Sequence, residues 1–254
     1  SCITQPGTAQ GLDAIADRLM HRLQFRDFGT YQAMVTNLTV DANGANMAGV
    51  RWYELRNTGA GWSVYQQATF APDSDSRWMG SIAMDAVGNL ALGYTVSGST
   101  VYPSIRYTVH LASDPLNSMR TEQSIATGAG SQTSSAARWG DYSSMSVSPD
   151  GCDFVYVNQY LRGTTPAEWY TRMGNFGLDS CWDNDTTSPD TFISGTGTAG
   201  PGSTTAEFTF YGDDGGGAGV NIAGFECSLD GSTFAACTSP KSYTGLANGA
   251  HTFQ

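Results

Sequence analysis

The sequence predicts an all-β protein: about three four-stranded blades of a β-propeller plus a remnant, followed by a small, incomplete antiparallel sandwich. The first observation behind this is a repeat. An arginine-aromatic signature recurs as Arg26-Asp27-Phe28-Gly29-Thr30-Tyr31-Gln32-Ala33-Met34, Arg77-Trp78-Met79-Gly80-Ser81-Ile82-Ala83-Met84 and Arg138-Trp139-Gly140-Asp141-Tyr142-Ser143-Ser144-Met145, with its methionines 50 and 61 residues apart. That spacing suits one four-stranded blade with generous loops, and radial repetition of such blades builds a propeller. The second is composition: 31 of 254 residues are Gly and only 14% are charged, as expected of short strands between polar turns. The third is a change of character at Cys181, beyond which short alternating strands are separated by Gly and Ser clusters.

The strands follow in order. Leu12 to Phe25 is expected to supply outer strands of a preceding blade. After each signature comes an apolar or alternating run (Met34 to Val40, Ser81 to Asp85, Ser144 to Ser148), then a turn at Asn43-Gly44, Gly88-Asn89 or Asp150-Gly151. Second strands are expected at Gly49 to Leu55, Leu90 to Val96 and Asp153 to Tyr160, and third strands at Trp62 to Thr69, Ser104 to Val109 and Trp169 to Phe176. Residues 1–181 are thus read as propeller blades, 182–190 as a linker and 191–254 as the sandwich domain, truncated. Its strands are placed at Thr191 to Ser194, Thr204 to Tyr211, Gly224 to Leu229, Thr233 to Ala236 and Lys241 to Thr244. Three blades leave open sheet edges, so upstream blades of the same polypeptide are expected as partners.

The five cysteines point to export. Cys227 and Cys237 flank an Asp230-Gly231 hairpin turn and are expected to pair; Cys152 and Cys181 bracket the third repeat and are expected to form a second bridge. Cys2 is left over, with a partner upstream or as a buried thiol. A secreted or cell-surface protein is the simplest account. A net charge of −11 without a basic stripe argues against nucleic acid as a partner, and no apolar run approaches the ~20 residues of a membrane span.

Residues 188–254 resemble a bacterial extracellular Ig-like repeat, through Ser188-Pro189-Asp190-Thr191, Ala206-Glu207-Phe208-Thr209-Phe210, Phe225-Glu226-Cys227-Ser228-Leu229-Asp230-Gly231 and Tyr243-Thr244-Gly245-Leu246-Ala247-Asn248-Gly249-Ala250-His251-Thr252-Phe253. The resemblance implies an Ig-like spacer that continues past Phe253. Residues 1–181 resemble the C-terminal part of large secreted bacterial propeller proteins, some called sialidase-like, through Gly80-Ser81-Ile82-Ala83-Met84-Asp85, Ala91-Leu92-Gly93-Tyr94 and Arg138-Trp139-Gly140-Asp141-Tyr142. The Arg-Ile-Pro motif of sialidases is absent, and Ser148-Pro149-Asp150-Gly151-Cys152-Asp153-Phe154 is one residue short of an Asp-box.

Candidate site residues come from the signatures. Arg26, Arg77 and Arg138, with Trp78 and Trp139, are expected to gather at a common funnel, where guanidinium groups clamp a carboxylate or sulfate. The competing reading is blade-to-blade packing, with each Arg stacked on its Trp. Asp141, Tyr142 and Asp27 are the catalytic candidates, an acid beside a phenol as sialidase-type hydrolysis needs, against a structural role in capping turns. Calcium is the cofactor considered, at Asp183 and Asp185 with Asp190, or at Asp73 and Asp75; solvated acidic turns are the default. The scattered His21, His110 and His251 argue against zinc and against a serine-hydrolase triad, and Asn37-Leu38-Thr39 and Asn184-Asp185-Thr186 fit a glycosylation sequon. The favoured function is binding of an extracellular glycan or polymer on Trp52, Trp62, Trp78, Trp139 and Tyr142. Two alternatives stay open: an extracellular hydrolase, sialidase-like or Ca²⁺-dependent on esters, and a structural envelope or fibre component that assembles with other chains.

Overall fold

A computed structural model describes residues 2–182, 190–198, 202–213 and 224–254. The chain is nearly all β, with a single helical turn, α1 (Asp179–Trp182), among the described residues, and divides into two compact units, Ser1–Asn184 and Asp185–Gln254.

The first unit is built of antiparallel meanders. Strands β1 (Cys2–Ile3) and β2 (Leu12–Asp13) pair with each other. The first large sheet runs in order β3 (Gln24–Asp27), β4 (Gln32–Asp41), β5 (Ala48–Asn57), β6 (Trp62–Phe70). The second follows as β7 (Ser76–Met84), β8 (Leu90–Ser97), β9 (Ser104–His110), β10 (Gln123–Ala126), and the third as β11 (Ser144–Val147), β12 (Asp153–Tyr160), β13 (Tyr170–Gly177). The expectation of outer strands over Leu12 to Phe25 is therefore corrected. Leu12 and Asp13 pair with the N-terminal residues, while Gln24 to Asp27 form an edge strand of the first sheet itself.

The second sheet lies between the other two and is buried on both faces. Every residue of β8 and nearly every one of β7 is buried, which is why Leu90 to Val96 reads as a continuous apolar run rather than an alternating one. Val35, Val50 and Trp52 of the first sheet pack on Ile82, Leu90, Leu92 and Tyr94; on the opposite face Ala83, Ala91 and Ile105 meet Met145, Phe154 and Tyr156 of the third. Both interfaces need a glycine. A Cβ on Gly80 would lie 2.5 Å from Asn37 Oδ1 and 2.8 Å from Val50 Cγ1, and one on Gly93 would lie 2.5 Å from the Tyr156 ring. Asn37 is fully buried in β4, so the folded chain offers no glycosylation acceptor there.

The three signatures do not occupy equivalent positions. Arg26 and Asp27 end β3, and a hairpin through Gly29 (φ +76°) separates them from Met34 on the next strand. Arg77 to Met84 lie within β7, interrupted by a bulge at Met79 (φ +52°). Arg138 to Ser143 form a loop before β11, with Gly140 at φ +61°. Similar residue strings thus pass through three backbone conformations, because tertiary pairing and the positive-φ residues, not the string, decide where each strand starts.

Arg77 is buried and fully paired. It donates to Asp73 (2.7 and 2.8 Å) and to Glu122 (2.8 and 3.0 Å), and Glu122 also accepts from the Tyr94 hydroxyl (2.8 Å) and from Arg106 (2.5 Å). Burial pushes the Glu122 carboxyl up, but the hydrogen bonds from Arg77, Tyr94 and Arg106 outweigh it and hold it below the ordinary glutamate value. The Asp73 carboxyl is held down chiefly by its bonds to Arg77.

In the second unit, β14 (Asp190–Thr198), β15 (Ala206–Asp213) and β18 (Lys241–Tyr243) form one sheet in the order β14-β15-β18, and β16 (Phe225–Cys227) pairs with β17 (Ala235–Cys237). Phe208, Phe210, Phe225, Tyr243 and Phe253 cluster by ring contacts. Asp230 and Gly231, both at positive φ, carry the β16–β17 turn, closed by Ser232 N donating to Leu229 O (3.0 Å), as a type I′ turn requires. Two disulfides are present, Cys152–Cys181 and Cys227–Cys237. The side chain of Cys2 lies outside the described residues.

Two outcomes follow from the packing. Gly93→Ala forces a Cβ into the Tyr156 ring and is expected to lower unfolding free energy by about 1–3 kcal/mol in urea denaturation; an unchanged midpoint would show that the sheets do not approach as described. Glu122→Gln removes one of the two counter-charges of buried Arg77 and is expected to cost about 3 kcal/mol at neutral pH. Because Glu122 and Asp73 are depressed in the folded state, their contribution is present above the ordinary carboxylate range and is lost as pH falls through their lowered values. The thermal stability of the native chain is therefore expected to fall steeply below about pH 4, with Glu122→Gln showing the smaller pH slope.

Candidate functional site

A cleft of about 580 Å³ opens on the first unit, within the range typical of ligand sites. One side is the loop before β11, Arg138 to Ser143; the floor is β12 through Val157, Asn158 and Gln159; the far wall is Pro166 to Trp169, entering β13. Trp139 and Ser143 are buried, while Tyr142 is 94% exposed and Trp169 65% exposed.

The floor is tied to the second sheet. Trp139 Nε1 and Asn158 Nδ2 both donate to Thr95 Oγ1, at 3.2 and 3.1 Å, and Asn158 Nδ2 also donates to the Tyr156 hydroxyl (2.7 Å). The bulge at Met79 presents its carbonyl to Ser143 Oγ at 3.0 Å. The Gly140 amide donates to Gln159 Oε1 at 3.0 Å, so the loop is pinned to β12 as well. On the rim, Arg138 grips Asp141 through both Nε (2.9 Å) and Nη2, and Asp141 makes the Arg138 guanidinium harder to deprotonate, chiefly through that bond. Tyr142 makes no hydrogen bond among the described residues.

The predicted site residues separate. Arg77 and Trp78 are completely buried, and Arg77 is committed to Asp73 and Glu122, so neither belongs to a ligand surface. Trp139 is buried and acts as floor packing; Trp52 is buried between sheets, and Trp62 stays on the surface at 41% exposure. Arg26 lies apart, in a polar cavity beside β11. Arg26, Arg77 and Arg138 therefore do not converge, because their signatures fall on an edge strand, in a buried strand and in a loop respectively. Asp27 caps its hairpin, accepting from the Gly29 amide (2.8 Å) and Gln32 (3.2 Å). Arg138, Asp141 and Tyr142 do share the cleft. Trp169, which completes it, is read from the sequence only as the start of a strand, and Glu168 beside it is not singled out; the nearby Pro166 and the Thr-Thr pair before it are the sequence signals of the loop that carries them.

Of Asp73 and Asp75, the residues considered for calcium, Asp73 has its carboxylate engaged within the chain. Both Asp73 oxygens are occupied by Arg77, and no cluster of three His, Cys, Asp or Glu is assembled among the described residues. Asp183 and Asp185 lie outside the described residues. No helix among the described residues is long and apolar enough to cross a membrane. No protein-family model matches the chain, and no curated protein matches it.

Thr95→Val keeps the side-chain shape while leaving the Trp139 and Asn158 donors without their shared acceptor. A loss of about 1–3 kcal/mol is expected, with a changed near-UV circular dichroism signal from Trp139; wild-type stability and spectrum would show that the floor does not hang on this hydroxyl.

Proposed function

We propose that the chain is an extracellular binding module for a glycan or similar polymer, with the Tyr142–Trp169 cleft as its site. The observation that carries this is the pair of large aromatic rings left exposed on a cleft whose floor is rigidly bonded. Exposed aromatic rings offer flat apolar faces that stack on sugar rings, while Arg138, Asp141, Gln159 and Glu168 beside them supply the hydrogen-bonding edges that a hydroxyl-rich ligand needs. Hydrolysis is less well supported: Asp141 is engaged by Arg138, and the Tyr142 phenol has no base bonded to it.

The three sheets of the first unit are read as consecutive propeller blades, supported by their meander order and by the side-by-side contacts of β4, β7 and β11. The second unit is read as an Ig-like spacer, supported by its short antiparallel strands and aromatic cluster. Two disulfides are compatible with an oxidising compartment. A separate observation favours an assembly role beside binding. Phe25, Met34, Leu55 and Val64 stand opposite one another across β3 to β6 as an apolar row, with Phe25 and Val64 at least half exposed, and a further blade of the same polypeptide would cover it.

The test is binding of the purified chain to a panel of neutral and acidic polysaccharides, by affinity electrophoresis and by tryptophan fluorescence. At least one glycan is expected to retard migration and perturb Trp169 emission, and Trp169→Ala and Tyr142→Ala are each expected to weaken that binding about tenfold or more without loss of fold, since both rings are exposed. Binding that survives both substitutions would place the site elsewhere; release of reducing ends from a bound glycan would favour the hydrolase reading.

A further inference from the structure

A second cavity, of about 190 Å³, opens between the edge strands β3 and β11, with Arg22, Gln24, Arg26, Ser146 and Ser148 on its walls. Its volume is far above the ~10–15 Å³ that a single water needs. Its charge is unbalanced in an unusual direction for so acidic a chain. Among the described residues Arg18, Arg56, Arg77, Arg106, Arg120 and Arg138 each have a carboxylate within 4.0 Å, whereas Arg22 and Arg26, like Arg51, Arg162 and Arg172, have none; only Arg22 and Arg26 share a cavity. The Arg26 Nε is shut off from solvent without a hydrogen-bond partner. Burial lowers the affinity of Arg26 for its proton, an effect that the charge of Asp85 partly offsets.

The Asp85 oxygens are bonded elsewhere and make no ion pair with Arg26. Asp85 accepts from the amides of Val87 (3.0 Å) and Asn89 (2.8 Å) and from Asn89 Nδ2 (2.6 Å). Asp150, on the hairpin after β11, accepts from Ser148 Oγ and from the Cys152 amide (2.8 Å). Two guanidinium groups therefore face one small polar space with no carboxylate in ion-pair contact among the described residues and with the buried Arg26 Nε unbonded, an arrangement that an oxyanion would complete. The surroundings hold them in place: Gln24 Nε2 donates to the Met84 carbonyl at 3.1 Å and its Oε1 accepts from the Met84 amide, fixing β3 against β7. Arg22 Nη2 donates to Ser146 Oγ at 3.1 Å, so the Ser146 hydroxyl keeps its own proton free to donate.

We propose that this cavity is a binding site for a tetrahedral oxyanion of the sulfate or phosphate class, held by Arg22 and Arg26 with the Ser146 hydroxyl as a further donor. Guanidinium forks and a hydroxyl match the several acceptor oxygens of such a group. The site is independent of the aromatic cleft. Ser143 lines the cleft ahead of β11, whereas Ser146 and Ser148 lie at the other end of that strand.

The experiment is thermal unfolding of the full chain in sodium sulfate, sodium phosphate and sodium chloride at matched ionic strength. Sulfate stabilises proteins generally by exclusion from their surface, so the difference between native chain and variants decides. The native chain is expected to gain saturable stability in sulfate or phosphate over chloride; Arg26→Gln is expected to abolish the gain and Arg22→Gln to weaken the apparent affinity tenfold or more, while Trp169→Ala leaves it intact. Should Arg26→Gln fail to fold, Arg22→Gln, at an exposed side chain, carries the test. Equal responses to sulfate and chloride, or an undiminished gain in Arg22→Gln, would overturn the proposal. A sulfated monosaccharide binding more tightly than inorganic sulfate would identify a glycan-borne group, and equal affinity would identify the free ion; either supports the site.

Discussion

The burial of Arg77 is the constraint around which the first unit is arranged. A guanidinium taken wholly out of water needs opposite charge and hydrogen bonds at fixed positions, or the sheet that carries it opens. Asp73 supplies these from the turn after β6, and Glu122 from the segment just before β10, with Tyr94 of β8 and Arg106 of β9 bonded to the same carboxylate. One cation thereby joins the exit of the first sheet to β7, β8 and β9 of the second. The pair is not a source of large net stability in itself, since desolvation offsets much of the attraction. It sets register and leaves few alternatives, because any slip would strand a charge in an apolar interior.

The consequences run along β7. Two residues after Arg77 the strand bulges at Met79, which turns its carbonyl toward the third sheet, where Ser143 and the more distant Tyr156 hydroxyl reach it. Thr95, paired with Trp78 across the ladder, offers its hydroxyl to Trp139 and Asn158. The cleft floor is thus bonded to the most deeply buried sheet, while its rim carries the exposed rings. That division, a rigid base with wet aromatic edges, is what a binding surface requires if ordering entropy is not to consume its affinity. The Cys152–Cys181 bridge adds a covalent tie between the hairpin after β11 and α1.

The arginines show how far a residue string can be trusted. Three similar strings suggested three equivalent positions, yet Arg77 became a structural cation, Arg138 a surface partner of Asp141, and Arg26 an unpaired group in a polar cavity. The difference lies in backbone conformation: a hairpin at Gly29, a bulge at Met79 and a turn at Gly140 place each arginine on a different kind of surface. Arg22, which completes the cavity, carries no signature, and it meets Ser146 only because β3 and β11 come together across the fold.

Much of the architecture was legible along the chain. Turn residues with positive φ, such as Gly88, Gly151 and the Asp230-Gly231 pair, mark hairpins wherever they occur, and the alternation or continuity of apolar residues between them marks the strands, because both signals act locally. The all-β class, most strand positions and both cysteine pairs follow from such signals. The strand pairing of Gln24 to Asp27, the burial of Arg77, Trp78 and Asn37, the joining of Tyr142 to Trp169 and the meeting of Arg22 with Arg26 do not. Each depends on contacts between residues far apart in the chain, and the free energy that decides them, of burying a charge or leaving a ring in water, exists only once the sheets are packed.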